Sequence, residues 1–481
     1  MSALNGLEPK KVFEYFEMIS SVPHGSNNTT QMSELCCEFA KQRGLEHYCD
    51  ELGNVIIYKE ASCGYEAHDT VIIQGHMDMV AVKTPDCGID LENEGLKLKS
   101  DGKYIWAEGT SLGADDGIAV AMAMAVLNSD SIEHPPVEVV FTINEETGMD
   151  GAQFLDASFL RGRKMLNIDS EVEGVITCGC AGGMHALAEY TLNAQKTECF
   201  CVELQIDGLT GGHSGNEIHK NRANSNILML KLLADINGSA VFRLVSIDGG
   251  EKDNAIANST RAVIAISEPD IETVLSVVNG FLKRSLEQYK TTDPELSIRA
   301  NELGNRCVFA SDEEMTDKII SALSVVPNGV QTMSVDIEGL VESSLNLGVI
   351  KTRNNTVSLS FCLRSSAAAE MLNMRNKLLK IVKMSEGKLR FNGEYPAWEY
   401  KKNSALRDKA VMVYERLYGA KPELCVIHAG LECGLFADKI EGLDCISFGP
   451  NIPDIHTTSE KLDIASTQRV WEFLTELLRC L

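Results

Sequence analysis

The chain has 481 residues, 44% of them hydrophobic and 23% charged, and a formal net charge of −25. A chain of this length favours two domains, or one domain with a large insertion. The acidic balance argues against nucleic acids and anionic membranes as partners, because both attract basic surfaces. The N-terminus shows no secretory signal, and the fifteen cysteines include no Cys-x-x-Cys pair. We therefore expect a cytoplasmic protein with free thiols.

The first third of the chain, up to about Cys180, alternates short apolar runs with helical segments. Residues 71–74, 137–143 and 165–168 are predicted to be buried strands, and the Ala- and Met-rich residues 118–127 a buried helix. This alternation is typical of an α/β domain with a mixed, mostly parallel sheet.

From residue 185 to residue 394 the pattern changes to strands with alternating polar and apolar residues, separated by longer helices. The predicted strands are 200–206, 241–247, 262–266 and 357–364, and the predicted helices are 223–236, 271–290 and 367–383. Such alternation indicates half-exposed antiparallel strands, so this segment is predicted to be an α+β domain. It is long enough for two similar lobes, but no repeat is visible.

The last part of the chain returns to the α/β pattern, with helices at 405–418 and 466–479 and a strand at 444–448. We therefore predict an α/β catalytic domain built from residues 1–184 and 395–481. Residues 185–394 are predicted to form an inserted α+β lid domain of ordinary domain size.

Polar side chains follow the predicted α/β strands and precede the buried helix. They are His76 and Asp78, Asp115 and Asp116, Glu145 and Glu146, Asp169, and the late His456. Each motif alone is typical of a surface pair or a turn. Because ligands bind at the carboxyl ends of parallel strands, we expect these side chains to converge on one site.

Two imidazoles and several carboxylates suit zinc or a similar first-row ion, such as cobalt or manganese. Two ions about 3.5–4 Å apart need a bridging carboxylate, for which Asp115 is the candidate. One of Glu145 and Glu146 should bind metal while the other activates water. Asp78 is well placed to hold the ring of His76.

The order of these motifs resembles the two-zinc exopeptidase and deacylase family. The segments at 23–26, 74–80, 208–215 and 428–434 resemble its aminoacyl-histidine dipeptidase branch in particular. The resemblance covers essentially the whole chain. It implies hydrolysis of unblocked dipeptides, including those that end in histidine, such as β-alanyl-histidine.

The resemblance also implies a role for each of these residues. His76 and Asp169 would hold one ion, Glu146 and His456 the other, and Asp115 would bridge them across a cis Asp115–Asp116 peptide. Glu145 would be the general base and Asp78 the clamp on His76. In the lid, His213 would polarise the scissile carbonyl, and Asn254 and Arg364 would bind the substrate carboxylate.

Several alternatives stay open at this point. An N-acyl amino acid deacylase or a tripeptidase would share the metal site, and Arg364 could equally be a salt-bridged strand end. A non-catalytic metal scaffold would be expected to lack Glu145, and a two-metal phosphohydrolase would need more basic residues near the motifs. A homodimer through the lid is a further expectation.

Overall fold

The computed structural model describes residues 3–335 and 337–481. It contains two compact units. Unit 1 comprises Met1–Cys180, Trp398–Val426 and Leu431–Leu481, and unit 2 comprises Ala181–Ala397 and Ile427–Gly430. The expected boundaries, after residues 184 and 394, lie a few residues from these. The short segment Ile427–Gly430, expected in the catalytic part, belongs instead to unit 2.

The helices, in chain order, are α1 (Lys10–Ser20), α2 (Thr30–Gln42), α3 (Ala114–Asn128), α4 (Glu145–Gly148), α5 (Asp150–Phe154), α6 (Ser225–Asn237), α7 (Ile271–Tyr289), α8 (Glu313–Leu323), α9 (Ala368–Met384), α10 (Ala405–Tyr418), α11 (Glu432–Lys439) and α12 (Ile464–Cys480). The strands are β1 (His47–Cys49), β2 (Val55–Lys59), β3 (Val71–His76), β4 (Leu98–Ser100), β5 (Tyr104–Ala107), β6 (Val137–Thr142), β7 (Lys164–Asn167), β8 (Val175–Cys180), β9 (Gly182–Thr191), β10 (Gln195–Asp207), β11 (Gly212–His213), β12 (Phe242–Gly249), β13 (Ala255–Ile256), β14 (Thr260–Ile266), β15 (Ser297–Ala310), β16 (Gly329–Met333), β17 (Val341–Arg353), β18 (Thr356–Ser365), β19 (Lys388–Tyr395), β20 (Glu423–Ile427), β21 (Asp444–Ser447) and β22 (Leu462–Asp463).

Unit 1 is built on an eight-stranded mixed sheet in the order β1-β2-β6-β3-β7-β21-β8-β20. Its four central strands, β6, β3, β7 and β21, run parallel to one another. Their carboxyl ends therefore lie along one edge of the sheet. The predicted α/β fold with a mixed sheet is confirmed; the sheet is partly parallel, because β1, β2 and β8 pair antiparallel with their neighbours.

Helix α3 packs against the centre of this sheet. Its residues from Ala114 to Leu127 are all buried, as are all positions of β3 and β6. Gly75 in β3 permits this close packing, because a Cβ there would lie 2.7 Å from the Cβ of Ala119. The apolar, Ala-rich sequence of the helix is what lets it approach the sheet so closely.

Unit 2 contains a nine-stranded sheet in the order β15-β10-β14-β12-β17-β18-β9-β19, with β16 paired to β17. Neighbouring strands are antiparallel. Strand β18 shows the expected alternation between buried and part-exposed positions. The buried sides of these strands form one apolar core with residues of α6, α7, α8 and α9. This is the α+β architecture that the sequence predicted.

The structure also bears on the cysteines and on membrane insertion. All fifteen cysteines are free thiols, so no two of them form a disulfide. Within residues 3–335 and 337–481, no helix combines the length and the apolar character that crossing a bilayer requires.

Candidate functional site

The polar residues expected at the strand ends of unit 1 do lie together. His76 is the last residue of β3, and Glu145 and Glu146 open α4 just after β6. Asp169 follows β7, and His456 lies in a turn beyond β21. The parallel arrangement of these strands brings the side chains to one edge of the sheet.

Asp115 stands between two groups of these residues. Its Oδ1 lies 3.3 Å from Nε2 of His76, and its Oδ2 lies 3.1 Å from Nε2 of His456. The same His76 nitrogen is 3.7 Å from Asp169 Oδ1, and the same His456 nitrogen is 2.8 Å from Glu146 Oε1. One carboxylate therefore faces two separate imidazole–carboxylate pairs. The peptide bond between Asp115 and Asp116 is cis.

The potential ligand atoms in this region are close enough to share metal ions. Four groups of three residues have such atoms within 4.8 Å of one another, and they are His76–Asp116–Asp169, His76–Glu145–Glu146, Asp115–Glu146–His456 and Asp115–Asp169–Glu171. Buried Asp169 Oδ2 has no hydrogen-bond partner among the described residues. An ion would satisfy that oxygen. These residues therefore fit a metal centre.

Asp116 and Glu171 were not among the ligands expected from the sequence. Asp116 Oδ2 accepts a hydrogen bond from the backbone N–H of His76 at 3.2 Å, so at least one of its oxygens is engaged. Glu171 lies only two residues beyond Asp169, and burial raises its pKa to about 7. Its position just after a strand end is the signal that could have identified it.

The ring of His76 is oriented by the segment that follows it. Its Nδ1 lies 2.9 Å from the backbone oxygen of Asp78 and 3.5 Å from the carboxylate of that residue. The nearer partner is a carbonyl, which can only accept, so Nδ1 carries the proton. Nε2, which faces Asp115 and Asp169, is the nitrogen that would bind metal once its own proton is lost.

The Asp78 carboxylate has a second role. It accepts hydrogen bonds from the backbone N–H of Glu145 at 2.9 Å and of Glu146 at 3.4 Å, and from Ser26 Oγ at 2.8 Å. Asp78 is itself fully buried. It therefore fixes the turn that carries both glutamates as well as the ring of His76.

The electrostatics of this region favour bound cations. Burial opposes ionisation of Asp115, yet hydrogen bonds from His456 and His76 lower its pKa. Burial lowers the pKa of His76, but hydrogen bonds to Asp115 and Asp78 outweigh burial and raise this pKa well above its ordinary value. Hydrogen bonds to Asp115 and Glu146 likewise raise the pKa of His456. The carboxylates therefore attract protons to the ring nitrogens of both histidines. Metal ions would compete with those protons for the same atoms.

Glu145 differs from Glu146 in its surroundings. Burial raises the pKa of Glu145 well above the ordinary value; His76 opposes this effect, and Glu432 and Glu146 reinforce it. A carboxylate whose affinity for protons is raised is suited to general-base work near neutral pH. Glu146 instead lies in direct contact with His456.

A buried polar network ties together the strands beneath these residues. Gln74 Nε2 and Thr142 Oγ1 each donate to Oε2 of Glu432 at 2.6 Å, and Asn167 Nδ2 donates to Gln74 Oε1 at 2.6 Å. Burial raises the pKa of Glu432 to about 7. Glu432 belongs to the segment at 428–434 singled out from the sequence, where it had no assigned role.

In unit 2, His213 is held in one tautomer. Its Nδ1 accepts backbone hydrogen bonds from Gly215 at 3.2 Å and Asn216 at 3.1 Å. Burial and the charge of Arg364 lower the pKa of His213, which favours the neutral ring. The proton of that ring is then on Nε2, so His213 presents an N–H donor.

Arg364 lies in the same part of unit 2. Its Nη1 donates to Tyr395 Oη at 3.1 Å, while its buried Nε has no partner among the described residues. Nearby His428 shares a 2.7 Å hydrogen bond with Ser344, and burial together with Arg364 lowers the pKa of His428 to about 4. An arginine that has no carboxylate partner within residues 3–335 and 337–481 can bind an anion.

Asn254 lies in the turn before β13, and its backbone oxygen accepts a hydrogen bond from Ser214 at 2.9 Å. Strands β11 and β13 are paired so that His213 is opposite Ala255. Asn254, Arg364 and His213 were expected from the sequence to bind substrate, whereas no role was expected for His428. The structure places His428 within the electrostatic reach of Arg364.

Comparison with known proteins is consistent with this geometry. The profile of a family described as "Peptidase family M20/M25/M40" matches residues 72–479. The cytosol non-specific dipeptidase of Escherichia coli (strain K12) is 35% identical over 483 residues, which is 100% of this chain and 99% of that protein.

Solved structures show the same similarity. The aminoacylhistidine dipeptidase of Vibrio alginolyticus superposes with a TM-score of 0.93 at 34% identity, covering 100% of this chain and 98% of that one. The aminopeptidase PepT of Bacillus cereus has a TM-score of 0.57 at 15% identity, with 98% of each chain covered. The second likeness extends to the fold alone.

Proposed function

Because the chain belongs to peptidase family M20/M25/M40 and is a peptide-bond hydrolase, we propose that it is a dipeptidase that uses two divalent metal ions. The substrates are unblocked dipeptides, including those that end in histidine. The observation that carries the proposal is Asp115, whose two oxygens face His76 and His456 separately. A carboxylate in that position can bridge two ions.

In this proposal His76 and Asp169 would hold one ion, Glu146 and His456 would hold the other, and Asp115 would be a ligand of both. Zinc suits this mixture of imidazole and carboxylate ligands, as do cobalt and manganese. When bound, the ions lower the pKa of a water molecule toward neutrality and polarise the scissile carbonyl.

Glu145 is proposed as the general base and acid. It takes a proton from the attacking water and gives it to the amine that leaves. Its raised pKa and its place beside the ligands support this role. Asp78 holds it in position through the backbone N–H of Glu145.

Unit 2, whose sequence lies between segments of unit 1, is proposed to be the lid that binds substrate. The Nε2–H of His213 is proposed to donate to the scissile carbonyl oxygen as negative charge develops there. Arg364 and Asn254 are proposed to bind the substrate's terminal carboxylate, a role that the unpartnered Nε of Arg364 supports.

Two further proposals concern location and assembly. The Escherichia coli relative is named as a cytosolic enzyme, and we propose the same compartment for this chain.

A homodimer through unit 2 is proposed on the basis of β15, an edge strand of the sheet, on which Phe309 is 65% exposed. Light scattering of the purified chain would test it.

The substrate proposal is tested with a panel assayed on the zinc-reconstituted chain. We expect hydrolysis of Ala-His, β-alanyl-histidine and other unblocked dipeptides, whose terminal carboxylate would engage Arg364. N-acetyl amino acids and tripeptides are expected to be poor substrates. Faster hydrolysis of N-acetyl amino acids would indicate a deacylase, and faster hydrolysis of tripeptides a tripeptidase.

A further inference from the structure

Glu460 is a buried carboxylate to which neither the mechanism nor the ligand set gives a role. Its side chain is 3% exposed. Its Oε2 accepts backbone hydrogen bonds from Leu112 at 2.9 Å and Gly113 at 3.2 Å, and its Oε1 accepts one from Ala114 at 2.8 Å. Both oxygens are engaged with N–H groups. Glu460 is therefore bound to the loop that ends at Asp115 and is not itself available as a ligand.

That loop needs a partner from elsewhere in the chain. Helix α3 begins after Gly113, which has a left-handed φ of 66° and provides no side-chain cap, and its backbone departs from helical φ and ψ at Asp115 and Asp116. The buried N–H groups of Leu112, Gly113 and Ala114 precede the regular part of the helix and need acceptors from elsewhere in the chain. A side chain at position 113 would also be obstructed, because its Cβ would lie 2.7 Å from Met79 Sδ. Glu460 provides the acceptors for all three of these N–H groups.

The other end of this connection is the turn that carries His456. Thr457 Oγ1 donates to the backbone oxygen of Asp454 at 2.7 Å, and the N–H of Glu460 donates to the oxygen of Thr457 at 3.3 Å. The His456 side chain is 42% exposed. With so little packing around it, the ring depends on its backbone turn for its position.

We propose that Glu460 is a positioning residue that holds the His456 turn against the Asp115 loop and thereby sets the affinity for the ion between them. The distance that it controls is the 3.1 Å from His456 Nε2 to Asp115 Oδ2. The inference rests on the proposed two-metal function and adds a residue outside the ligand set.

Glu138 provides a matched control. It is also 3% exposed, and it accepts backbone hydrogen bonds of 3.0 Å from Arg161 and Gly162. These residues lie before β7, at the amino end of the strand and away from Asp169. Glu138→Gln therefore removes the same kind of buried carboxylate–backbone interaction from the same unit, at a place distant from the ligand loops.

The experiment is calorimetric titration of the metal-free full chain with ZnCl₂, for wild type, Glu460→Gln and Glu138→Gln. The amide of Glu460→Gln places an N–H donor against backbone N–H groups. We expect two ions in wild type and in Glu138→Gln with unchanged affinity. In Glu460→Gln, the dissociation constant of one ion is expected to rise by about 10–100-fold, as for other groups that support metal ligands.

Two results would overturn the inference. One is wild-type zinc affinity in folded Glu460→Gln, and the other is an equal loss of affinity in Glu138→Gln, which would indicate general destabilisation. If circular dichroism shows that Glu460→Gln does not fold, Glu460→Asp, which keeps the charge on a shorter side chain, is judged by the same criteria. Failure of the wild type itself to bind zinc would refute the proposed function and the inference with it.

Discussion

Glu145→Gln is expected to lower kcat for Ala-His by about 10²–10⁴-fold, the usual contribution of a general base, and to keep two zinc ions. The amide keeps the size of the side chain but cannot take a proton from water. The backbone hydrogen bond from residue 145 to Asp78 is unchanged. Steady-state kinetics and zinc content by mass spectrometry, measured on the same sample, check both parts.

Glu146→Gln is the comparison that makes this result specific. Both glutamates have atoms within reach of His76, so either could be a ligand. Since Glu146 is also 2.8 Å from His456, its replacement is expected to release an ion. If Glu145→Gln released the ion and Glu146→Gln kept both, the two roles would have to be exchanged. Wild-type turnover in Glu145→Gln would exclude it as the base.

Asp115→Asn is expected to have the largest effect on metal content. The Asp115 carboxylate presents one oxygen toward His76 and the other toward His456. The amide of asparagine has only one oxygen, and its NH₂ group cannot bind a metal ion. We expect at most one ion per chain, with the affinity for the other weakened by more than about 100-fold, beyond the usual cost of losing a supporting group. Zinc content after dialysis measures this loss.

The neighbouring aspartate provides the control. Asp116 is buried like Asp115, but its Oδ2 accepts the N–H of His76. Asp116→Asn can keep that acceptor, so we expect it to keep two ions. If Asp116→Asn lost an ion while Asp115→Asn kept both, Asp116 would be the bridging residue.

The catalytic part of the fold could be predicted because its signals are local. Strand β3 opens with the apolar run 71–73, and β6 is apolar at 137 and at 139–141, so the polar residues that end these strands stand out in the sequence. The buried helix α3 is visible for the same reason. The expected ligands could therefore be identified from the sequence, because each one follows a predicted strand or precedes the buried helix.

Parts of unit 2 could not be predicted in this way. Strand β15 lies at the edge of the sheet and is mostly exposed or part-exposed on both faces, so its sequence lacks the alternation of a half-buried strand. Strands β9 and β17 were also missed. In β17 a run of six consecutive buried residues hides the alternation. Their pairing is decided by contacts distant in sequence.

The supporting groups of the site were missed for a related reason. Glu460 and Glu432 act through backbone N–H groups and side chains from other strands and loops. Nothing near them in the sequence marks such contacts. Asp78 illustrates an intermediate case. Its link to His76 was expected, but its hydrogen bonds to the turn at Glu145 depend on how β3 and β6 are paired.

The most direct test of the two-metal dipeptidase is a titration of the metal-free chain with zinc while Ala-His hydrolysis is followed. We expect no hydrolysis before zinc is added and a rise that saturates at two equivalents per chain, because Asp115 joins two ligand pairs. Full hydrolysis without metal, or saturation at one equivalent, would contradict the account.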